Sequence, residues 1–241
     1  MIPFGQLASR ISGQLDTGDT LRRLYATDAS EYQEMPAGVV FPKDDKDLGE
    51  IIRFARRNKL GLIPRTAGTS LAGQCVGDGL VVDVSRHFDR ILSVDAKSRR
   101  VRVQPGVVRN ELNHFLEPHG LLFGPETSTA NRAMMGGMVG NNSCGSNSIV
   151  YGSTRDHLIS VTGFLSDGSE VTVEALTAEE FNAKCDGPDC LETAIYRGVK
   201  AMLGNAENRA AITESFPLAS IPRRNTGYAL DLLMDAEVFD A

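Results

Sequence analysis

Residues 124–156 read GPETSTANRAMMGGMVGNNSCGSNSIVYGSTRD. Glycines at 136, 137, 140, 145 and 152 are interleaved there with Asn, Ser and Thr. Such a stretch has little apolar surface to bury and loses much backbone entropy when it orders. Order in it therefore needs a compensating partner, and the sequence has to be searched for what that partner is.

The composition is ordinary. The chain has 241 residues, 41% hydrophobic and 23% charged, which suits a globular protein of one large domain or two lobes. Its 25 basic and 31 acidic residues give a net charge of −6 without runs of one sign, which argues against nucleic acid as a partner. No apolar run approaches the roughly 18–20 residues of a membrane span. The opening MIPFGQLASR lacks the basic head and apolar core of a signal peptide. Cys75, Cys144, Cys185 and Cys190 form no Cys-x-x-Cys pair and read as reduced thiols of a cytoplasmic protein.

The hydrophobic pattern predicts α+β organisation with no internal repeat. A helical stretch near 5–24 precedes a strand at 39–42. Asp44, Asp45 and Asp47 then open a helix whose apolar face is Leu48, Ile51, Ile52 and Ala55, closed by Asn58 and Gly61. Strands at 60–64 and 80–84 complete a parallel βαβ lobe over about 1–88. The second lobe, about 89–241, reads as antiparallel. It has a hairpin from 91–95 and 99–104, then a helix at 107–117 with Val108, Leu112, Phe115 and Leu116 on one face. A second hairpin at 158–165 and 170–174 turns on Ser166-Asp167-Gly168-Ser169. A helix near 190–203 then carries Leu191, Ala194, Ile195, Val199 and Met202 on one face.

Two glycine-rich segments carry the chemistry. The first, Arg65-Thr66-Ala67-Gly68-Thr69-Ser70-Leu71-Ala72-Gly73-Gln74, follows the 60–64 strand directly. Successive backbone N–H groups in such a turn, or at a helix N-terminus, converge on an anion, with Thr69 and Ser70 hydroxyls and the Arg65 cation beside them. A diphosphate fits that donor set; a tight strand-to-helix connection is the structural alternative. The phosphate-binding pattern G-x-x-x-x-G-K-[ST] fails, because Gln74 and Cys75 stand where Lys and Ser/Thr belong, and G-x-G-x-x-G does not occur. In the second segment Asn141, Asn142, Ser143 and Ser146 offer dense neutral donors and acceptors, which suit a flat hydrogen-bonding ring better than a bare metal. His114 and His119 read as solvent-facing helix-end residues, His157 and Cys144 as structural. Met134, Met135 and Met138 read as apolar packing under the loop.

In order along the chain, PRTAGTSLAGQ (64–74), VVDVSR (81–86), VQPGV (103–107), FGPETS (123–128), MGGMVGNNSCGS (135–146) and YGSTRDH (151–157) resemble one family. It is the FAD-binding domain of the vanillyl-alcohol oxidase (PCMH) type, nearest to bacterial D-lactate dehydrogenase and glycolate oxidase FAD-subunit proteins. The likeness runs from TDASEYQ (27–33) to RRNTGYALD (223–231).

The resemblance implies a two-lobed domain with FAD in the cleft. Arg65, Ala67, Gly68, Thr69, Ser70 and Gln74 would wrap the diphosphate. Pro125, Thr127, Ser128, Gly136, Gly137, Asn141, Gly145, Ser146, Tyr151 and Gly152 would line the flavin and ribityl region. Some relatives attach FAD covalently through a His in an R-S-G-G-H loop; Thr69 stands at that position here, which implies non-covalent FAD. A G-S-E-G-T-L-type block and a substrate cap follow the GYALD-like segment in the family and not here, so the likeness implies a fragment with an incomplete flavin site. The implied activity is oxidation of a D-2-hydroxy acid (D-lactate, glycolate or 2-hydroxyglutarate class) by hydride transfer to flavin N5, with a quinone, cytochrome or Fe–S partner as acceptor. The implied location is cytoplasmic or peripheral to the inner membrane. No catalytic residue is assigned within the chain. Three alternatives stay open: an alcohol or aldonolactone oxidase, a same-fold NADPH reductase such as the peptidoglycan-precursor reductase, and a nucleotide-binding module without catalysis.

Overall fold

The computed structural model describes residues 2–218, 220–221, 227–235 and 239. The chain divides into two compact units, residues 1–157 and 158–241. The lobe boundary expected near residue 88 falls inside the first unit, which holds one four-stranded sheet and one hairpin.

The N-terminal stretch is not one helix. It is α1 (Phe4–Ala8), β1 (Gln14–Asp16) and α2 (Asp19–Leu24), broken where Ser12 and Gly13 turn the backbone toward Asp47. β2 (Gly38–Phe41), α3 (Asp45–Asn58), β3 (Leu62–Arg65) and β4 (Leu80–Asp83) follow. The sheet order is β1-β2-β4-β3, with β2, β4 and β3 parallel and β1 antiparallel at one edge. β4 thus lies between the two strands that α3 connects. Pro64 is tolerated on β3 because that strand is the other edge.

Both faces of this sheet are buried, which is why β2 and β4 are continuous apolar runs rather than alternating ones. Val40, Leu80 and Val82 pack with Leu7, Ile51 and Phe54 on the α1–α3 side. Val39, Phe41, Ile63 and Val81 pack with Leu21 and Tyr25 on the other. Full burial of each such side chain adds roughly 1.5–3 kcal/mol. α3 presents Ile51, Phe54 and Ala55 to the core, while Ile52 is only half-buried. The helix ends at Asn58, where Lys59 takes a left-handed φ of 52°.

The first hairpin is β5 (Ile91–Asp95) and β6 (Arg100–Val103), antiparallel with a register irregularity between Ile91 and Ser93. α4 (Arg109–Leu116) packs on it through Leu112 and Leu116, but Phe115, expected on that face, is exposed. Met135 and Met138 of α5 (Met135–Gly140) complete this core, so the methionines do pack beneath the glycine segment; Met134 is half-buried. The short α6 (Ser148–Tyr151) and a 3-10 turn at Arg155–His157 end the unit.

The second unit opens on the hairpin β7 (Ser160–Phe164) and β8 (Glu170–Glu174), as the Ser-Asp-Gly-Ser turn predicts. α7 (Ala178–Cys185) begins at a capping box in which Thr177 and Glu180 bond reciprocally. α8 (Leu191–Gly204) buries Thr193, Tyr196 and Leu203 and leaves Ile195 exposed, so its core stripe is rotated from the one expected. The cause is the aromatic cluster of Phe181, Tyr196 and Phe239, which draws Tyr196 inward. α9 (Ala206–Ser215) and α10 (Leu230–Asp235) follow. Parts of the RRNTGYALD block (223–231) and of the final ten residues lie outside the described residues. Among the described residues no helix is long and apolar enough to cross a membrane.

Asp47 ties the N-terminal break to α3. Its carboxylate accepts from the Ser12, Gly13 and Lys43 N–H groups, each at 2.8 Å, and it is 2% exposed. Burial works against this charge, but the three N–H donors and the Ser12 hydroxyl outweigh it and hold the carboxyl below the ordinary carboxylate range. The unfolded chain therefore binds more protons at this group. Its stabilisation is complete above the ordinary aspartate pKa of about 3.9 and is lost as pH falls through the lower folded value. Asp47→Asn should lower stability by about 2–3 kcal/mol near neutral pH and flatten the acid limb of a urea-unfolding series. A parallel acid limb in wild type and variant would contradict this role.

Candidate functional site

The first glycine segment is not a strand-to-helix connection. Residues 66–79 contain no helix and return directly to β4, which pairs with β3 in register Arg65↔Asp83. Gly68 and Gly73 both take left-handed backbone, at φ 63° and 76°. Among the described residues, the N–H groups of Ala67, Gly68, Thr69, Ser70 and Leu71 donate to no protein atom. The turn thus presents successive unpartnered donors around a left-handed glycine, on residues that are half-buried from 67 to 70 and exposed at Leu71; anion sites are built from such runs.

The loop is braced from behind. The Arg65 Nη1 donates to the Thr27 carbonyl at 2.8 Å and the guanidinium lies 5.0 Å from the Tyr25 ring centre. It also fills the space a side chain at Gly68 would need. Arg65 is therefore committed to holding the chain together, with its charge beside Gly68. The Tyr25 hydroxyl donates to the buried Asp83 carboxylate at 2.5 Å. Burial and that carboxylate push the phenol well above its usual pKa.

At the loop's far end Gln74 N–H donates to Ser70 Oγ, and Gln74 Oε1 accepts from Ala72. Gln74 is thus an internal brace. Asp28 loses by burial but is held below the usual carboxylate range by Ser30, the Cys75 N–H and the Ser70 hydroxyl. Its charge is directed into this network. Burial pushes the Cys75 thiol up, which leaves it a weak nucleophile.

The second segment is fixed largely by the protein itself. Arg109 and Asn113 of α4 hold the Phe123 and Pro125 carbonyls, at 3.1 to 3.3 Å. The Thr127 carbonyl accepts from Ala130, and Ser128 is exposed. Gly136 lies tight on Pro105, and Gly145 on the Glu126 carbonyl. Asn141 donates to Ser143 Oγ at 3.1 Å, while Ser146 is exposed. The Tyr151 ring lies on Gly124, and its carbonyl sits 2.6 Å from His157 Nε2. Gly152 takes φ 70° beside Asp156, whose carboxylate accepts from Ser153. The buried Thr154 hydroxyl donates to the Ser143 carbonyl at 2.7 Å.

The two segments approach within the first unit where Thr66 faces Gly137. A Cβ on Gly137 would stand 2.8 Å from Thr66 Oγ1 and near no other atom. Its φ is ordinary, and the Thr66 hydroxyl would have to move to admit a side chain on this exposed glycine, whereas at Gly136 the obstacle is the Pro105 ring and backbone. Three residues outside the expected set bear on the site. Thr66 makes the contact just described. Tyr32 rests on Gly73. Arg155 buries its Nε without a hydrogen-bond partner among the described residues. Arg155 lies in the YGSTRDH block and Tyr32 in TDASEYQ; what the sequence did not show was the contact of Tyr32 with Gly73, 41 positions away. All four cysteines are free, and no described group of His, Cys, Asp and Glu could hold a metal ion.

The FAD binding domain family model matches residues 36–174. The chain is 36% identical over 221 residues to a D-2-hydroxyglutarate dehydrogenase of Haemophilus influenzae, covering 90% of this chain and 21% of that one. It is 29% identical over 175 residues to glycolate oxidase subunit GlcD of Bacillus subtilis, covering 71% and 37%. The chain thus spans about a fifth of the length of the curated dehydrogenases it matches. Among solved structures, alkyldihydroxyacetonephosphate synthase superposes with a TM-score of 0.59 at 20% identity, over 67% of this chain and 31% of that one. The 6-hydroxy-D-nicotine oxidase of Arthrobacter nicotinovorans gives 0.59 at 21% identity, over 68% and 36%. These superpositions support the mixed fold with its parallel and antiparallel sheets.

Adjacent glycines should behave differently on substitution. Gly136→Ala drives a methyl into Pro105 and should destabilise by about 1–3 kcal/mol. Gly137→Ala meets only a rotatable Thr66 hydroxyl and should stay within about 1 kcal/mol of wild type. Thermal unfolding of the two variants checks this, and equal losses would contradict the assignment of Gly136 to packing.

Proposed function

The chain belongs to the FAD-binding domain family, and from that premise we propose that it forms the FAD platform of a dehydrogenase acting on D-2-hydroxy acids. The run of unpartnered N–H groups at 67–71 carries the placement of the cofactor. These donors, with the Arg65 charge beside Gly68, suit a diphosphate. Gly137 and the polar side chains of Asn141 and Ser146 then take the ribityl and ring portion, which reaches the second segment where Thr66 meets Gly137.

FAD, when bound, supplies the acceptor for the two electrons and hydrogen leaving the hydroxyl-bearing carbon. The chain's residues bind and orient. Arg109 and Asn113 fix the FGPETS backbone, and Asp156 and His157 are engaged with Ser153 and the Tyr151 carbonyl rather than poised as a base. Substrate class follows from the 36% identity to D-2-hydroxyglutarate dehydrogenases, and D-lactate and glycolate remain within the proposal. The onward acceptor is a quinone, a cytochrome or an Fe–S protein. Thr69 at the covalent-attachment position supports dissociable FAD.

Titration of free FAD, with FMN in parallel, tests the cofactor placement. FAD should bind at least about tenfold more tightly than FMN, because FMN lacks the diphosphate and adenosine. Gly137→Val should weaken FAD by a similar factor, and denaturation should release all flavin. Equal binding of FAD and FMN would sink the assignment of 67–71 to the diphosphate.

Anaerobic addition of D-2-hydroxyglutarate, D-lactate or NADPH to the flavin-loaded protein carrying the substrate cap that the resemblance implies tests the chemistry. Bleaching by a D-2-hydroxy acid and not by its L enantiomer is expected. Bleaching by NADPH alone would favour the reductase.

A further inference from the structure

The first glycine loop is held from outside by two neighbouring residues. The Thr27 carbonyl accepts from Arg65 Nη1 at 2.8 Å at the loop's start, and Asp28 Oδ2 accepts from the Cys75 N–H at 3.5 Å just past its end. Asp28 also takes the Ser70 hydroxyl from within the loop. The segment that carries both residues is itself closed. Thr27 and Gln33 form an antiparallel bridge, Glu34 N–H donates to the Ala26 carbonyl at 3.0 Å, and Ser30 N–H donates to Asp28 Oδ1 at 2.8 Å. The free N–H groups of 67–71 lie in sequence between the Arg65 tie and the Cys75 tie.

Ser70 shows what the second tie does. Its hydroxyl donates to Asp28 and its oxygen accepts from the Gln74 N–H at 3.2 Å, so the side chain is spent on bracing while its own N–H stays free. A serine without such partners turns its hydroxyl onto nearby backbone groups. Residues 66–79, without helix or strand, have few other restraints on their shape. Charge alone argues the other way. Asp28 places a negative charge one hydrogen bond from a residue that supplies one of the donors, and a like charge there opposes an anionic ligand. The carboxylate has to offset that repulsion by what it holds in place.

We infer that Asp28 is a positioning residue of the diphosphate loop, fixing Ser70 and Cys75 so that the 67–71 N–H groups stay free for the ligand. This rests on the FAD-platform reading above and is the same whichever way round the dinucleotide lies on the loop. A carboxylate suits the task because it accepts at both oxygens. The amide of an asparagine offers one acceptor, so either the Ser30 or the Cys75 N–H would then face an NH2 group. Loss of such a tie lets the loop populate other shapes, and apparent affinity falls with the fraction still competent.

The test titrates ADP and FAD, at one ionic strength, into the full chain and into Asp28→Asn, Asp28→Glu and Ser70→Ala. Asp28→Asn should weaken both probes by about tenfold, the factor expected when a hydrogen bond to a charged group is lost. Asp28→Glu keeps the charge and both acceptor oxygens on a longer stem, and its affinities should fall between those of wild type and Asp28→Asn. Were the charge alone at work the order would reverse, and the neutral Asn variant would bind these anions most tightly. Ser70→Ala, which keeps its N–H and loses only the hydroxyl, should weaken both probes by about threefold. Thermal unfolding identifies a variant too unstable to titrate, and Ser70→Ala carries the test if the Asp28 variants are. Affinities in Asp28→Asn equal to or above wild type, no advantage of Asp28→Glu over Asp28→Asn, or unchanged affinities in Ser70→Ala would overturn the inference and leave the FAD platform intact. Failure of the unaltered chain to bind either probe would overturn both.

Discussion

Arg65 holds the first unit's polar end together. It closes β3, lies over Tyr25, clamps the Thr27 carbonyl and fills the space behind Gly68. Tyr25 in turn reaches Asp83 at the end of the neighbouring strand. One guanidinium thus joins two parallel strand ends, the segment that carries Asp28 and Tyr32, and the loop with the free N–H groups. The carboxyl ends of parallel strands are where open sheets present ligand sites. Here the connection that would ordinarily be a helix is an irregular turn at that edge, and its donors remain available.

Much of this was readable in the sequence, and the failures have physical causes. The two hairpins were legible because alternation and the Ser-Asp-Gly-Ser turn act locally. The parallel strands were legible as apolar runs, since both faces of their sheet are covered. The order β1-β2-β4-β3 was not, because nothing local says that the third parallel strand inserts between the first two. The N-terminal stretch was misread because Ser12 and Gly13 are bonded to Asp47, more than thirty residues away. Phe115 and Ile195 fit apolar stripes, yet both are exposed; neighbouring packing rather than periodicity chose the buried face.

The glycine segment at 124–156 gives a mixed answer to the question its composition poses. Its ordering does not rest on a ligand alone. Met135 and Met138 anchor it in the core, Arg109 and Asn113 hold its entry, and Thr154 ties its exit to Ser143. Several of its glycines serve contacts between protein atoms, as Gly136 does with Pro105. What remains unaccounted for by the fold is small: the exposed polar groups near Gly137, and the buried Nε of Arg155, which has no hydrogen-bond partner among the described residues.

A site built from main-chain donors has a distinctive relation to sequence change. Every residue except proline carries the same N–H, so Ala67, Thr69, Ser70 and Leu71 supply their donors whatever side chains they bear. What cannot vary freely is the handedness of the turn at Gly68, where any side chain would also collide with Arg65. Descendants of this loop can therefore drift in letter while keeping their grip. The inherited quantity is a backbone shape, stored in one glycine and the arginine beneath it.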